Sequence, residues 1–294
     1  RPQRGRFRQF MQCDIDILGD PTFLAEIDVI LATSTLVGKL DFDSFTIRIN
    51  DRRILKAMAA YSGFPEESFN QVFIILDKMD KIGWEGVAAE LAEAGYDQEG
   101  IDKYIELFKA MGSGVEGVQF CKEKLEGFLE PQVADDLTTI IESVMQAKTA
   151  NFNLEFDPTL VRGMSYYTGP IFEISIDGFA GSVGGGGRYD EMIGKFTGTP
   201  TPATGFSIGF ERIVMLLMEK GFKVPGAKEK KVYLLDKKLS SEKILQVMKK
   251  AGEERQSGKS VNIVYTKKNK KFQKEQLENE GYSVIEEVYN DTEL

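Results

Sequence analysis

The chain has 294 residues, 42% of them apolar and 28% charged, with a net charge of −9 and no histidine. Because histidine is absent and only two cysteines occur, the composition excludes imidazole-dependent triads and dyads, as well as metal sites built from histidine or several cysteines. The negative net charge argues against a protein that binds nucleic acid over its whole surface.

The composition also limits where the protein acts. We find no run of about 18 apolar residues, so we expect no transmembrane helix. Cys13 and Cys121 are too few for a disulfide framework and fit a reducing compartment. Since no signal peptide is visible either, we expect a cytoplasmic protein.

The charge is unevenly distributed along the chain. Residues 228–294 hold 15 Lys and Arg against 12 Asp and Glu, a net of +3, which leaves −12 for the rest. A basic module on an acidic body fits local contacts with the phosphates of a partner. Two solvated surfaces of opposite sign would give the same counts, and charge alone leaves both interpretations open.

From Arg6 onward the N-terminal sequence alternates with the period of a strand. One face is mostly apolar, and we expect it to be buried; it carries Phe7, Gln9, Met11, Cys13, Ile15 and Ile17. The other face combines cations, an aromatic ring, an amide and carboxylates, and it carries Arg6, Arg8, Phe10, Gln12, Asp14 and Asp16. From the strand pattern alone, this polar face is an ordinary solvent-facing surface.

Helices and a second strand follow. Asp20-Pro21 has the residue types of a helix start, with Asp at the N-cap and Pro in the first turn, and predicts a helix to about Val37. Residues 45–50 predict a strand, and Asp51 then predicts a cap for a helix over 52–61. Residues 66–149 are mostly helical in pattern, and we find no catalytic constellation among them.

The central segment, residues 160–169, combines an arginine, a glycine and two adjacent tyrosines before an alternating strand over 170–176. Arg162 has no close acidic neighbour except Asp157, so a local ion pair is not its obvious role. On extended backbone Tyr166 and Tyr167 would point to opposite faces, one packing while the other presents its hydroxyl to a pocket. A glycine turn with both tyrosines in the core is the simpler alternative.

Four consecutive glycines, residues 184–187, indicate that a ligand or another stretch of backbone comes close, because glycines in a strand contribute no packing. A dinucleotide motif is not completed, since Tyr189 stands where its last glycine would be. Farther along, Arg212 falls in the first turn of a helix predicted from Gly209 to Gly221 and opposes the helix dipole. A bound phosphate would satisfy it; a pair with a carboxylate such as Glu211 is the alternative.

The C-terminal residues predict a small α/β domain. Residues 223–230 are the best candidate for a linker. After it, strands over 232–235, 261–264 and 282–285 alternate with helices over 240–256 and 267–280, an order that implies a parallel sheet.

Three motifs together resemble those of histidyl-tRNA synthetases, which are class II enzymes, and they occur in that family's order. The motifs are the 160–169 segment, Arg1–Asp16 as the second half of motif 2, and Gly185–Asp190 with Thr204–Ile213 as the glycine-rich strand and motif 3. The resemblance implies an α+β fold, with a class II antiparallel sheet and helices over 1–222 and a helical insertion over 66–149. It also implies that 231–294 is a shortened anticodon-binding-like α/β domain.

The resemblance further implies an activity and its partners. The reaction would be ATP-dependent activation of histidine to histidyl-adenylate and transfer to tRNA(His), by a homodimer that uses Mg²⁺ and needs no membrane. Arg162 would be the catalytic residue and would also bind histidine, with Gln12, Asp16, Tyr166 and Tyr167. ATP would be bound by Arg6, Phe10 and Arg212. Protein ligands for the metal are not expected, although Glu211 is a candidate neighbour of the Mg²⁺.

The sequence also departs from a complete synthetase. It begins after motif 1 and after the first motif 2 arginine, so we expect a fragment that is inactive alone. Ser165 stands where many family members have Asp, which affects the detail of the pocket. The rival interpretation is a non-catalytic histidine-binding paralogue similar to the regulatory subunit of ATP phosphoribosyltransferase.

Overall fold

A computed structural model describes residues 4–40, 42, 44–163, 165–222 and 229–293. They belong to two compact units, Arg1–Phe222 and Lys223–Leu294. Most of the predicted linker, residues 223–228, lies outside the described residues.

The first unit is built on a six-stranded sheet. Its strands are β1 (Gln12–Leu18), β2 (Phe45–Asp51), β3 (Phe152–Phe156), β4 (Pro170–Ser175), β5 (Ser182–Arg188) and β6 (Ala203–Gly209). The spatial order is β1-β6-β5-β4-β2-β3, and every neighbouring pair is antiparallel except β2 and β3. The antiparallel sheet expected from the sequence is therefore confirmed.

Helices surround this sheet. They are α1 (Leu24–Gly38), α2 (Arg52–Tyr61), α3 (Phe69–Leu76), α4 (Met79–Glu93), α5 (Gln98–Ala110), α6 (Val115–Lys124), α7 (Pro131–Ala147), α8 (Asp190–Thr197) and α9 (Phe210–Glu219). The helical pattern of residues 66–149 is confirmed by α3 to α7. Their apolar side chains share one core with the sheet, because burial of apolar surface drives both layers together.

The cap predicted for α2 is confirmed. The Asp51 side chain accepts a hydrogen bond from the Arg53 backbone N–H at 2.8 Å and also pairs with the Arg53 guanidinium. The start predicted for α1 is wrong. Asp20 Oδ1 accepts from the backbone N–H and the hydroxyl of Thr22, and so closes a turn instead of capping a helix. The helix itself begins at Leu24.

The prediction that one face of the first strand is buried is also wrong. β1 begins at Gln12, and among the described strands it pairs only with β6, at the edge of the sheet. Met11 keeps 62% of its surface exposed and Ile15 keeps 39%. Strands β4, β5 and β6, at the centre, are buried almost throughout, so the layers of the fold cover the middle of the sheet and leave β1 open.

A buried ion pair that the sequence analysis missed ties α1 to the sheet. Arg188, at the end of β5, donates from Nε and NH2 to the two carboxylate oxygens of Glu26, at 2.6 and 2.8 Å. Glu26 is fully buried. Burial acts to lower the pKa of Arg188, but its contacts with Glu26 and Asp190 outweigh burial and raise the pKa, so the guanidinium stays charged.

The second unit has the predicted parallel α/β arrangement. Its sheet has the order β8-β7-β9, with all pairs parallel. The elements are β7 (Lys230–Leu235), α10 (Ser241–Gln256), β8 (Ser260–Tyr265), α11 (Lys270–Asn279) and β9 (Val284–Val288). None of the helices in the described part of the chain combines the length and apolar character needed to span a bilayer.

Candidate active site

A cleft of about 810 Å³ brings together residues from all three motifs. The predicted site residues that line it are Arg6, Phe10, Gln12, Arg162, Tyr166, Tyr167, Glu211 and Arg212. Asp16 does not line the cleft directly; it accepts a hydrogen bond from the hydroxyl of Tyr189, whose ring meets that of Tyr166 edge to face. A volume of this size is within the range of small-molecule sites.

The floor of the cleft is set by the register of the sheet. Five residues stand opposite one another across five strands, and we call them the cross-sheet row: Asp14, Ser207, Gly185, Glu173 and Arg48. Directly opposed residues share a face of a sheet, so these residues all face the same side. Gln12, two residues before Asp14 and therefore on that side too, donates from Nε2 to the Ser207 hydroxyl at 3.0 Å.

Arg162 lies across this row in an unusual backbone conformation. Its φ is +58°, and it is the non-glycine residue with positive φ among the described residues. Such a conformation costs about 1–3 kcal/mol and persists only where the surroundings enforce it. The guanidinium lies flat on Gly185, where a Cβ atom would come within 2.2 Å of NH1. NH1 also donates to Glu173 Oε2 at 3.2 Å.

The glycine run therefore admits a side chain and a neighbouring strand. Gly185 makes room for Arg162, and a Cβ at Gly186 would lie 1.9 Å from the carbonyl oxygen of Gly205. Of the two expectations for this run, close approach of another backbone is confirmed at Gly186.

The expectation that the two tyrosines point to opposite faces is wrong, because residues 165 and 166 form a turn instead of extended strand. The rings of Tyr166 and Tyr167 lie with their centroids 4.6 Å apart, and both line the cleft. Burial, with Tyr167 beside it, raises the pKa of Tyr166 to about 12. Burial and the hydrogen bond to Asp16 raise the pKa of Tyr189 as well, so both hydroxyls stay protonated and can donate.

Arg212 does not pair with Glu211. Its Nε donates to the Gly5 carbonyl at 2.9 Å and its NH1 to the Ser182 carbonyl at 2.5 Å, which joins the N-terminal segment to β5. Glu211 instead accepts from the Met11 backbone N–H at 2.7 Å. Both side chains therefore hold the residues just before β1 against the cleft.

Metal binding by the protein alone has no support here. Residues 4–40, 42, 44–163, 165–222 and 229–293 contain no group of three or more histidine, cysteine or carboxylate side chains that could hold an ion. Glu211 is the carboxylate that lines the cleft. This arrangement suits an ion such as Mg²⁺, which keeps most of its ligands from water and substrate phosphates and takes one or two carboxylates from the protein.

The model of the histidyl-tRNA synthetase family matches residues 1–213. The chain belongs to this family. The whole of the second unit lies beyond the matched residues. Its identification as anticodon-binding-like therefore stays a prediction.

Individual members of the histidyl-tRNA synthetase family resemble the chain closely. It is 47% identical over 221 residues to a histidine--tRNA ligase of Leifsonia xyli, covering 74% of this chain and 51% of the relative. A histidine--tRNA ligase of Korarchaeum cryptofilum is 40% identical over 225 residues, covering 75% and 50%. The chain thus spans about half the length of these relatives.

Solved structures agree with the fold. The crystal structure of histidyl-tRNA synthetase from Nostoc sp. PCC 7120 matches with a TM-score of 0.71 and 26% identity, over 94% of this chain and 66% of that one. A Bacillus halodurans structure described as an ATP phosphoribosyltransferase regulatory subunit/histidyl-tRNA synthetase matches with a TM-score of 0.66 at 20% identity, over 95% and 68%. At that identity the second match supports the fold alone.

Two side chains of this site were not among the residues predicted from the sequence. Tyr189 binds Asp16, and Glu173 binds Arg162. A signal for Glu173 was available, since it is a single carboxylate within the apolar strand Ile171–Ile174. Buried carboxylates need a partner, and this one has two arginines.

Proposed function

We propose that this chain carries the site that activates histidine with ATP, before the histidyl group is transferred to tRNA(His). The observation that carries the proposal is that Arg6, Arg162 and Arg212, which come from three separate motifs, line one cleft with a pair of tyrosines. Membership of the histidyl-tRNA synthetase family supports the same reaction.

The reaction places specific demands on these cations. A carboxylate oxygen of histidine attacks the α-phosphorus of ATP, a new P–O bond forms, and the bond to pyrophosphate breaks. Negative charge grows on the α-phosphate oxygens and on the leaving pyrophosphate, and fixed cations stabilise it without reorganisation. In this proposal Arg162 contacts the α-phosphate and the histidine carboxylate.

The remaining contacts to ATP follow from the walls of the cleft. Arg6 binds the outer phosphates, and Phe10 stacks on adenine; 59% of the Phe10 surface is exposed and therefore free to be covered. Arg212 binds the γ-phosphate with NH2, because the contacts described for Nε and NH1 go to backbone carbonyls. Mg²⁺, when bound, supplies charge neutralisation to the phosphates, and Glu211 is the residue that would help to hold it.

Recognition of the imidazole ring is assigned to Asp16 and the tyrosines. Asp16 Oδ1 is already hydrogen-bonded to Tyr189, which leaves Oδ2 to accept the ring N–H of the substrate. A hydroxyl from Tyr166 or Tyr167 meets the other ring nitrogen, and Gln12 binds the amino or carboxylate group. An apolar analogue would leave the carboxylate unpaired, which gives strong discrimination.

The partners are part of the proposal. We infer that tRNA(His) is the second substrate and that residues 231–294, within the second unit, act as its anticodon-binding domain. We also infer that the protein works as a cytoplasmic homodimer. The two cysteines, Cys13 and Cys121, are both unpaired, as a reducing compartment would require.

The test is ATP–pyrophosphate exchange by the full-length protein, with and without histidine. We expect histidine-dependent exchange that falls by about 10²–10³-fold or more in Arg162→Ala, the loss typical for removal of a preorganised charge. Arg255→Ala, in α10 of the second unit, is the matched control and should leave exchange unchanged. Histidine binding without exchange in the unmodified protein would overturn the proposal and leave a regulatory histidine-binding protein.

A further inference from the structure

The polar network behind the cleft reaches from β2 to the proposed catalytic arginine. Glu173, on β4, is 8% exposed and uses both carboxylate oxygens: Oε1 accepts from NH2 of Arg48, and Oε2 accepts from NH1 of Arg162 at 3.2 Å. Arg48 is held in turn by Asp157 Oδ2 at 3.0 Å. The Glu173 carboxylate therefore lies between two guanidinium groups and accepts a hydrogen bond from each.

The register of the sheet makes this contact specific. Glu173 stands directly opposite Arg48 on one side and Gly185 on the other. Gly185 is the residue on which the Arg162 guanidinium lies. The Arg162 guanidinium thus lies against Gly185 and is bonded to Glu173, and strand pairing fixes these two residues side by side.

The three nitrogen atoms of the Arg162 guanidinium have different surroundings. NH1 is taken by Glu173, and Nε is buried without a partner in the described part of the chain. No partner among the described residues accepts from NH2, and Arg162 lines the cleft. A guanidinium fixed at one nitrogen presents the other in a defined direction, which suits bidentate or bridging contact with carboxylate and phosphate oxygens.

The same contact helps to stabilise the positive φ of Arg162. A positive φ in a non-glycine residue requires compensation from its surroundings. The charge-assisted hydrogen bond to Glu173 supplies part of it. Without Glu173 two half-buried cations, Arg48 and Arg162, would lose the anion between them. Arg48 would keep Asp157, so their mutual repulsion would move Arg162.

We propose that Glu173 is the positioning residue for Arg162: it orients the guanidinium toward the reacting phosphate, with Arg48 locking the carboxylate from the opposite side. The kinetic effect of Glu173 rests on the proposed function, whereas the orientation of the Arg162 guanidinium by Glu173 does not depend on it. Glu173 itself does not line the substrate cleft, so it acts through Arg162 and does not touch substrate.

The kinetic test compares Glu173→Gln with Asp157→Asn. Both substitutions remove a charge from the surroundings of Arg48, but only the first removes the carboxylate from Arg162. We expect Glu173→Gln to lower kcat for exchange by about 10²-fold, the scale of a misplacement of about 1 Å, with KM for ATP and histidine changing little. Asp157→Asn should change kcat by less than about threefold, because its Oδ1 contacts to Thr159 can remain.

A double variant separates positioning from a general loss of structure. If Glu173 acts through Arg162, adding Glu173→Gln to Arg162→Ala should cause no further loss of exchange, since groups that act as a unit are non-additive. Losses that multiply in the double variant, or an effect of Glu173→Gln confined to KM, would overturn the proposal.

A crystal structure of each single variant provides a readout that needs no activity. In Glu173→Gln the guanidinium of Arg162 should leave its place on Gly185, and in Asp157→Asn it should stay. If it stays in both, the inference is wrong even where the enzyme is active. If the unmodified protein shows no exchange, the proposed function fails, and the displacement of Arg162 in the crystals still decides the positioning role.

Discussion

At the scale of single residues, the absence of a side chain at Gly185 is as important as the presence of any charged group. The Arg162 guanidinium occupies the space that a Cβ atom at residue 185 would fill. Several other glycines serve backbone turns with positive φ, but Gly185 shapes the surface against which the proposed catalytic arginine lies. The residue therefore acts through the volume that it leaves open.

We predict that Gly185→Ala lowers histidine-dependent exchange by about 10-fold or more while the protein remains folded. The added methyl group would come within 2.2 Å of Arg162 NH1, so the flexible guanidinium must move and the sheet need not. Exchange kinetics together with a thermal unfolding curve check this expectation. Gly112→Ala is the control, because a Cβ there meets nothing within 4 Å. Equal kinetics for both variants would refute the prediction.

The sequence identified the chemistry of the site better than its connections. Arg162, Arg212 and the tyrosine pair stand in motifs, and the structure gathers them in one cleft. Their partners could not be read from local sequence, because Glu173 is joined to Arg48 from a strand 125 residues earlier. Tyr189 reaches Asp16 from 173 residues away. Such contacts depend on strand order and register, which local patterns do not specify.

At the scale of elements, hydrophobic periodicity predicted the helices and strands correctly, but it did not predict which strand would lie at the edge of the sheet with its apolar face exposed. Hydrophobic periodicity predicts the three strands and two helices of the second unit, as well as the helices of residues 66–149. β1 has an equally clear alternation, yet its apolar face is open. Alternation shows that a strand can bury one face; whether it does so depends on the layers above it.

A charged contact joins the last helix and strand of the chain. Glu287, on β9, accepts from Lys270 and Lys274 of α11 and from the hydroxyl of Tyr289 at 2.5 Å. These hydrogen bonds, led by that from Lys270, lower the pKa of Glu287 from 4.5 to about 2. A carboxyl group whose pKa is lowered by folding stabilises the fold above its unfolded pKa, and this stabilisation is lost as the pH falls toward the folded value.

We predict that Glu287→Gln lowers the free energy of unfolding of the second unit by about 1 kcal/mol at pH 7, the upper range for partly exposed ion pairs. The difference from the unmodified protein should shrink as the pH falls from about 4.5 to about 2, because the native carboxylate is then protonated. Denaturant unfolding monitored across this pH range measures both effects. Glu275→Gln, on helix α11 and with an exposed side chain, is the control and should change stability little. A pH-independent difference would contradict the assigned pKa.

At the scale of the whole molecule, the buried apolar side chains among the described residues form two hydrophobic cores that share no residue. The first includes the sheet β1–β6 and its helices. The second is small, and its buried members are Tyr233, Leu235, Val247, Ala251, Val261 and Val288. Because cooperative unfolding follows continuous cores, each unit should unfold as its own transition.

We predict two calorimetric transitions, each sensitive to its own core. Leu235→Ala, in β7, should lower only the midpoint of the smaller transition, and Leu55→Ala, in α2, only that of the larger one. Both leucines are at least 98% buried, and Leu→Ala in a core costs about 2–5 kcal/mol. Scanning calorimetry of the two matched variants is the measurement. A single transition that shifts in both variants would show that the units unfold together.

The open edge of β1 has a consequence for access to the proposed substrate site. Among the described strands only β6 pairs with it, and apolar side chains on its face remain in contact with solvent. An edge with unpaired backbone groups is a template on which a further strand, from the same protein or from another molecule, can align. The same strand carries Gln12 and Asp16. A strand that aligned there would lie beside residues proposed to bind the substrate, so pairing at this edge and access to the proposed site are coupled.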